Sequence, residues 1–214
     1  MGEEEVRAVD RGAAQAARRG SEQRATKETE VRAEVVLDGS GRAEVRTGLP
    51  FFDHMLSQLA RHAGFDLRVE ARGDLEVDAH HSVEDTGIAL GTAVGRALGA
   101  KAGIRRFASI SVPLDEALVD VALDVSGRPY LRYDVPVPPD AAPLGSPGFE
   151  PQLAEEFWRA FVTAAGVTLH LGLRHGRNAH HILEASFKGV ARALRDAVAL
   201  EGEDVPSTKG VLSP

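Results

Sequence analysis

The sequence has no cysteine among its 214 residues. Disulfides and thiolate metal sites are therefore excluded. No apolar run approaches the ~18 residues of a membrane-spanning helix, so we expect no membrane partner. Basic residues are outnumbered, 25 against 32 acidic ones, and the formal charge of −7 argues against nucleic acid as the main partner.

The N-terminal residues offer little that could anchor them to a core. Residues 1–23 are charged and rich in Ala, Gly and Arg, with few large apolar side chains, so we predict a mobile extension. Glutamates occupy positions 3–5, and no apolar segment of a signal peptide follows them. We therefore expect a cytoplasmic location. The hydrophobic content of 43% supports a real core, in one large or two small domains.

A His-His-x-x-Glu pattern occurs twice, 100 residues apart, and each copy opens a segment that predicts a helix. A histidine and a glutamate four positions apart share one helix face, whereas adjacent histidines diverge by about 100°. Each copy can therefore serve two different ions, and the pattern predicts a two-metal site to which each copy contributes half. The residues concerned are His80, His81, Glu84, His180, His181 and Glu184.

Two polar positions precede the His-His-x-x-Glu copies at similar distances. His54 lies 26 residues before the first copy and Glu156 lies 24 residues before the second, so we expect Glu156 to be the counterpart of His54. His54, Gln58 and His62 share one stripe of a predicted helix, which indicates either a lined pocket or a solvent face. His170, on the polar side of a predicted strand, is either a rival ligand or merely exposed.

The clearest predicted linker is residues 135–151, which hold six of the eleven prolines. It divides the chain into a first half, residues 24–134, and a second half, residues 152–214. In each half, alternating apolar and polar segments predict strands, and longer amphipathic segments predict helices, one of them over residues 153–165.

Several cations are placed to bind a phosphate group. Arg106 and Arg128 lie at predicted strand ends, where a guanidinium makes a good phosphate fork. Lys188 lies one helical turn beyond Glu184. Residues 207–210, Ser-Thr-Lys-Gly, resemble a small anion-binding turn in the C-terminal tail.

Glu28 precedes the first predicted strand and has no evident counterpart in the second half, which makes it a candidate acid/base. The sulfur-free ligand set suits manganese, zinc, iron, cobalt or nickel. The residues alone thus predict a dinuclear metal enzyme that acts on a small phosphorylated compound. A dinuclear metallohydrolase acting on a phosphate ester and a non-catalytic metal-binding assembly protein are the alternatives.

From position 24 to the C-terminus, the sequence resembles imidazoleglycerol-phosphate dehydratase, an enzyme family of histidine biosynthesis. Seven motifs carry the resemblance in this order: TKET (26–29), TGLPFFDHML (47–56), GDLEVDAHHSVED (73–85), PLDEA (113–117), SGRPY (126–130), HHILEASFK (180–188) and STKG (207–210). The resemblance implies an α+β fold of two similar halves, each a small β-sheet covered on one side by helices, of the ribosomal S5 domain 2-like type. It also implies a homo-oligomer (24-mer) with active sites between subunits and two Mn²⁺ ions per site.

The resemblance assigns roles by position in these motifs. The implied metal ligands are His54, His80, His81, Glu84, His180, His181 and Glu184, and Glu156 joins this set as the counterpart of His54. The implied catalytic carboxylates are Glu28, Glu84 and Glu184. The implied substrate contacts are Glu28, His54, Gln58, His62, His80, Glu84, Arg106, Arg128, His180, Lys188, Ser207, Thr208 and Lys209. Some relatives carry histidine at the position of Glu156, which leaves the ligand count of one ion open.

The implied reaction is loss of water from D-erythro-imidazole-glycerol phosphate to give imidazole-acetol phosphate. The proton to be lost is not next to a carbonyl, so the substrate's own imidazole must act as the electron sink. Held as imidazolate between two metal ions, the ring can expel the neighbouring hydroxyl while Glu28 moves protons.

Overall fold

Two four-stranded sheets, each with two helices, make up residues 17–212, the part of the chain that the computed structural model describes. The first unit consists of β1 (Arg19–Ala25), β2 (Thr29–Val36), β3 (Ala43–Arg46), α1 (Pro50–Ala63), β4 (Asp66–Gly73) and α2 (His80–Leu98). The second unit consists of β5 (Phe107–Leu114), β6 (Ala117–Asp124), β7 (Tyr130–Asp134), α3 (Leu153–Ala165), β8 (Thr168–His175) and α4 (Ala179–Ala197). Both units follow the order βββαβα, which confirms the predicted α+β fold with two similar halves.

The two sheets have the same topology. The strands pair in the order β1-β2-β4-β3 in the first sheet and β5-β6-β8-β7 in the second. In both sheets the last pair is parallel and the other pairs are antiparallel. The central strands β2 and β6 alternate between buried and more exposed residues, because successive side chains of a strand point to opposite faces. One face of each sheet is therefore apolar, and helices cover it.

Helices of one unit pack against helices of the other. Helix α2 packs on β1 and β2 and against α3, while α4 packs on β5 and β6 and against α1. The approach of α2 to α3 requires glycine: a Cβ on Gly87 would lie 2.7 Å from the carbonyl oxygen of Phe157, and one on Gly91 would lie 2.4 Å from that of Phe161. The helices thus lie between the two sheets in one continuous core. This crossed pairing decides which site residues meet.

The predicted division of the chain at its proline-rich segment is wrong. Strands β5, β6 and β7 were expected in the first half, residues 24–134, but they pair with β8 in the second sheet. The units instead meet at residues 99–106. Residues 135–152 connect β7 to α3 within the second unit, just as residues 47–49 connect β3 to α1 in the first. Prolines end strands and helices inside a unit as readily as in a linker, so their density did not locate the boundary.

Strand β1 occupies part of the predicted N-terminal extension. Residues 19–23 pair with β2, so the expectation of a mobile segment is wrong for them, while residues 1–16 lie outside the described residues. An edge strand exposes alternate side chains and therefore needs few large apolar residues. Arg18 secures the start of this strand, since its Nη2 lies 2.6 Å from Asp38 Oδ1. Within residues 17–212, no helix is long and apolar enough to cross a membrane.

Candidate metal and substrate site

Helices α1 and α4 bring three candidate ligands together. His180 and Glu184 lie one helical turn apart on α4, and His54 reaches them from α1. The Nε2 atoms of His54 and His180 lie 3.1 and 2.9 Å from the same carboxylate oxygen, Glu184 Oε2. One ligand atom from each residue lies within 4.8 Å of the others. Among residues 17–212, no other group of three histidine or acidic side chains is this close.

The donor set of this cluster fits a divalent cation. In an octahedral shell with bonds of about 2.1 Å, neighbouring ligand atoms lie about 3 Å apart, and both His–Glu distances agree with that spacing. Two imidazole nitrogens and a carboxylate oxygen suit manganese, zinc or iron. Asn178, the N-cap of α4, accepts hydrogen bonds from the backbone N–H groups of His180 and His181. This cap holds in place the helical turn that carries the ligands.

Glu184 is held as a carboxylate. Burial alone would raise its pKa, but hydrogen bonds from Lys188, His54 and His180 outweigh burial and hold the pKa at about 2. Lys188 Nζ lies 2.6 Å from Glu184 Oε1, whereas both histidines face Oε2. Lys188 therefore neutralises one oxygen of the carboxylate and leaves the other directed at the ligand cluster.

The polar stripe of α1 is half-buried beyond His54. His62 Nε2 lies 3.1 Å from Gln58 Oε1, and both side chains are only partly accessible to solvent. Burial, together with the positive charges of Lys188 and Arg192 on α4, lowers the pKa of His62, so its ring is neutral near pH 7. The half-burial of Gln58 and His62 argues against a fully solvated face for this part of the stripe, and a lined pocket stays a prediction.

The first His-His-x-x-Glu copy forms no such three-ligand cluster within residues 17–212. Helix α2 packs on α3, and Glu84 and Glu156 line one groove of about 540 Å³ between them. Glu156 occupies on α3 the position of His54 on α1, since each lies ten residues before the left-handed glycine that caps its helix, Gly166 and Gly64. The two units therefore have equivalent positions on α1 and α3, but the side chains there differ, and so do the distances between the candidate ligands.

His170 lies away from these ligands. Its ring is 5.5 Å from that of Tyr130, and its side chain alternates along β8 with the buried Leu169 and Leu171. The helices that carry the candidate ligands cover the buried face of this sheet, so His170 lies on the opposite, outer face. Of the two alternatives for His170, the structure favours exposure.

In each copy, the second histidine points away from the first. The ring centroids are 6.1 Å apart in the first copy and 6.2 Å apart in the second, with the ring planes at 88° and 83°. His81 Nδ1 lies 3.1 Å from Asp74 Oδ2, and His181 Nδ1 lies 2.8 Å from Glu116 Oε2. A carboxylate at Nδ1 leaves Nε2 as the ligand atom. The two histidines of one copy therefore offer their ligand atoms in different directions.

Glu116 is the counterpart of Glu28. Each lies one residue before the central strand of its sheet, β2 or β6, so the expectation that Glu28 has no counterpart is wrong. Equivalent residues lie 88 positions apart before the loop of residues 135–152, as Glu28 and Glu116 do, and 100 positions apart in the two His-His-x-x-Glu copies after it. A comparison at the 100-residue offset therefore does not align Glu28 with Glu116. Aligning the starts of the two central strands, Thr29 and Ala117, would have matched Glu28 with Glu116.

The two carboxylates differ in their surroundings. Hydrogen bonds with His181 and with the backbone N–H of Asn178 hold the pKa of Glu116 at about 2. Glu28 is exposed, and its Oε2 lies 3.9 Å from His81 Nδ1. The pKa of His81 is raised chiefly by its hydrogen bond with Asp74. Asp74 and Glu116 were not singled out from the sequence, although both lie within the family motifs.

Five predicted phosphate contacts line a single cleft of about 830 Å³, namely Arg106, Arg128, Ser207, Thr208 and Lys209. Arg106 donates to Asp124 (Nε to Oδ1, 2.8 Å) and to the carbonyl oxygen of Pro206 (2.8 Å), and so ties the C-terminal turn to the second sheet. Ser207 Oγ accepts a hydrogen bond from the backbone N–H of Lys209 (3.2 Å). Hydroxyls, cations and backbone N–H groups on one cleft suit an anionic ligand.

The fold and these features define a class: duplicated α+β proteins with a histidine–carboxylate centre and a basic cleft. A family model described as imidazoleglycerol-phosphate dehydratase matches residues 47–194. A relative named imidazoleglycerol-phosphate dehydratase from Acidothermus cellulolyticus is 56% identical over 91% of this chain and 93% of its own length. A relative of the same name from Symbiobacterium thermophilum is 56% identical over 92% of this chain and 94% of its own length.

Solved structures agree with the sequence relatives. The dehydratase of Staphylococcus aureus has 34% identity and a TM-score of 0.75, covering 85% of this chain and 99% of its own. That of Pyrococcus furiosus has 40% identity and a TM-score of 0.76, covering 89% and 100%. The chain belongs to the imidazoleglycerol-phosphate dehydratase family, which are hydro-lyases of histidine biosynthesis.

Proposed function

We propose that this protein removes water from D-erythro-imidazole-glycerol phosphate to form imidazole-acetol phosphate, with the substrate imidazolate held between two divalent cations, expected to be Mn²⁺. The observation that carries the proposal is the cluster of His54, His180 and Glu184, whose ligand atoms lie within 4.8 Å of one another. Gln58 and His62, half-buried on the same helix as His54, are proposed contacts of the substrate ring.

The second cation needs its own ligands, and we assign it His80, Glu84 and Glu156 on the equivalent helices α2 and α3. The remaining ligands, His81 and His181, diverge from the first histidine of each copy. Ligands that diverge within one protomer can meet across a subunit contact, which supports active sites shared between the chains of a homo-oligomer. The number of twenty-four chains rests on the resemblance to the family.

The cations, when bound, supply the Lewis acidity that stabilises the substrate ring as an anion. The hydroxyl next to the ring leaves as water, the next carbon loses its proton, and the resulting enol becomes the keto product. We assign the proton transfers to Glu28, which is exposed and lies beyond hydrogen-bond distance of His81. Glu84 and Glu184 would each hold one of the cations, and their carboxylate charge would offset part of the charge of that cation.

The basic cleft is the proposed phosphate site. Arg106 is fixed by Asp124 and by the Pro206 carbonyl, while Arg128 is largely exposed and lies 3.7 Å from Asp124, beyond hydrogen-bond distance. Ser207, Thr208 and Lys209 complete the lining. Binding the phosphate at a fixed cleft orients the reacting carbons, an effect worth several kcal/mol in favourable cases, up to about 7–11 kcal/mol.

Elemental analysis of the purified protein, alongside turnover with and without chelator, tests this function. We expect bound divalent metal, a keto product that retains its phosphate, and activity that disappears with chelator and returns with Mn²⁺. Release of inorganic phosphate would identify a metallohydrolase instead, and metal binding without any turnover would identify an assembly protein. Undiminished turnover in metal-stripped protein would contradict the two-cation mechanism.

Glu28→Gln tests the acid/base assignment separately. The substitution is expected to leave the metal content unchanged and to lower the rate by about 10²–10⁴-fold, the usual contribution of a general acid or base. His80→Ala is the matched contrast, because it is expected to lower the metal content. Full activity of Glu28→Gln would remove Glu28 from the mechanism.

A further inference from the structure

Two glutamates at equivalent positions, Glu28 and Glu116, make different contacts. Glu116 is hydrogen-bonded to a histidine, whereas Glu28 is not, and Asp74 bonds the corresponding histidine instead. We propose that Glu116 and Asp74 are positioning residues, each of which orients one histidine for metal binding, and that Asp74 thereby leaves Glu28 free to move protons. The inference rests on the proposed function and adds the division of roles among three carboxylates.

Both carboxylate oxygens of Glu116 are engaged at the start of α4. Oε2 lies 2.8 Å from His181 Nδ1, and Oε1 accepts hydrogen bonds from the backbone N–H groups of Asn178 (2.9 Å) and Arg177 (3.3 Å). A carboxylate can only accept hydrogen bonds, so His181 must carry its proton on Nδ1. The lone pair of Nε2 is then available to a cation. Glu116 thus fixes both the orientation and the tautomer of the ring.

Asp74 does the same for His81 from a different part of the chain. Its Oδ2 and Oδ1 lie 3.1 and 3.4 Å from His81 Nδ1. Asp74 directly follows β4, and the residue that directly follows β8 is Gly176, which has no side chain to offer. The second unit therefore has no carboxylate at the position of Asp74, and Glu116 bonds His181 Nδ1 instead, while Asp115 lies 3.9 Å from Nε2 of the same ring.

The turn that carries Glu28 is anchored independently of the histidine. Thr26 Oγ1 accepts hydrogen bonds from the backbone N–H groups of Glu28 (3.1 Å) and Thr29 (2.9 Å). The Thr29 hydroxyl donates in turn to Asp85, a buried residue of α2 that also pairs with Arg24 at 2.7 Å. The backbone at Glu28 is therefore fixed to α2, and its carboxylate, 57% exposed, lies 3.9 Å from His81 Nδ1, beyond hydrogen-bond distance.

The decisive measurement is Mn²⁺ binding to metal-stripped, full-length protein by calorimetry, with turnover recorded as a function of Mn²⁺ concentration. In Glu116→Gln, the amide oxygen can still accept the backbone hydrogen bonds, but the amide N–H group donates to His181 Nδ1 and so favours the proton on Nε2. Glu116→Gln and Asp74→Asn are each expected to weaken Mn²⁺ binding by about 10–100-fold. Activity should return at higher Mn²⁺.

The controls separate orientation from loss of charge or fold. Asp120 lies on β6, the strand that Glu116 precedes, and it bonds Ser111 and Arg174 but no histidine. Asp120→Asn should therefore leave the Mn²⁺ affinity unchanged. Asp74→Glu retains a carboxylate and is expected to keep its affinity within a few-fold. Glu28→Gln should bind Mn²⁺ normally and stay slow at every Mn²⁺ concentration.

Each outcome decides between the proposals. If the wild-type protein binds no Mn²⁺, the proposed function fails and this inference fails with it. If the wild-type protein binds Mn²⁺ and both Glu116→Gln and Asp74→Asn bind it equally well, the positioning roles are wrong while the proposed function stands. Weakened Mn²⁺ binding in Glu28→Gln, equal to that of Asp74→Asn, would refute the division of roles.

Discussion

The two units of this protein share a backbone plan and differ in what their equivalent side chains do. In the second unit, His180 and Glu184 meet His54 in a close cluster, whereas in the first unit Glu84 and Glu156 line an open groove without a third ligand nearby. The units have thus kept their topology while the equivalent positions diverged. Equivalence of fold does not carry equivalence of chemistry, which depends on the individual side chains.

The units also differ in the residues that lie between the sheet and the helix that covers it. In the first, Arg24, Thr29 and Asp85 form a polar network between β1, β2 and α2, in which Thr29 and Asp85 are buried and Arg24 is partly exposed. The second unit has apolar residues at the positions equivalent to Thr29 and Asp85, Ala117 and Ala185, both buried. The second unit thus forms the same sheet and helix without these polar residues. We expect the network to anchor the turn before β2, where Glu28 lies, because Thr29 directly follows that turn.

The largest expected effect is on kcat/KM, and it should differ between substitutions of His54 and of its counterpart Glu156. His54→Ala removes a ligand from the close cluster and should lower kcat/KM on the order of 10³-fold, since a positioned cation contributes several kcal/mol. Glu156→Ala is expected to cost roughly 10-fold, at the lower end of the effects seen around metal sites, because Glu156 lines a groove and belongs to no close three-ligand cluster among residues 17–212. Steady-state kinetics and metal stoichiometry of both variants check this. Equal losses would mean that the two positions carry equal weight.

A large effect on stability is expected in the loop between β7 and α3. Phe149 is fully buried, and its ring lies 5.5 Å from that of Phe51 and 5.6 Å from that of Phe52. Phe149→Ala should therefore lower the free energy of unfolding by about 3–5 kcal/mol. Ala142→Ser, an exposed position of the same loop, should change it by less than about 0.5 kcal/mol. Denaturant unfolding measures both, and a small effect of Phe149→Ala would restore the view of this loop as a passive linker.

A smaller effect is expected when the first unit receives the apolar residues of the second. Asp85→Ala alone leaves Arg24 without its partner and should cost about 2 kcal/mol of stability, less than a fully buried pair because Arg24 is 37% exposed. Val112 on β5 is the counterpart of Arg24 on β1, since each pairs with the third residue of its central strand. Adding Thr29→Ala and Arg24→Val should recover part of this loss. Turnover should fall in all of these variants without loss of metal, because the Glu28 turn loses its anchor. Unchanged turnover in the triple variant would show that the network does not serve Glu28.

The smallest expected effect is on the pH dependence of stability, and it comes from Asp66, the first residue of β4. Hydrogen bonds from the backbone N–H groups of Ser40 and Arg42 hold the pKa of Asp66 well below its usual range, whereas Thr168 at the equivalent position does not titrate. A folded-state pKa below the unfolded value of about 3.9 means that the stabilisation is present above that pH and is lost as the pH falls. Asp66→Asn should cost about 1 kcal/mol at pH 7.

The pH dependence of that difference is the measurement. Unfolding free energies of the wild type and of Asp66→Asn should converge as the pH falls below about 4, where the carboxylate of the unfolded chain is protonated. Thr168→Val, which removes a hydrogen bond to the Arg128 carbonyl, should show a difference that does not vary with pH. A constant gap for Asp66→Asn would mean that its charge is not the source of the stabilisation.

Much of the local structure was predictable. Helix α3 spans Leu153–Ala165, as predicted, and α1 and α4 carry the expected polar residues on one face. The division of the chain was not predictable from composition, because a proline-rich loop inside a unit has the same residues as a linker. The equivalence of Glu28 and Glu116 was missed because the number of residues between equivalent positions of the two units changes at that loop. The roles of the predicted site residues stay predictions until the substitutions above are measured.

By itself, the sequence determined which residues lie one helical turn apart, since helical periodicity is a property of the local backbone. The relation of His180 to Glu184 follows from that periodicity alone. Only the tertiary structure decided that His54 meets those two residues and not His80 and Glu84, because α1 packs on α4 and α2 packs on α3. That choice depends on burying apolar faces between residues far apart in the chain, which no local pattern records.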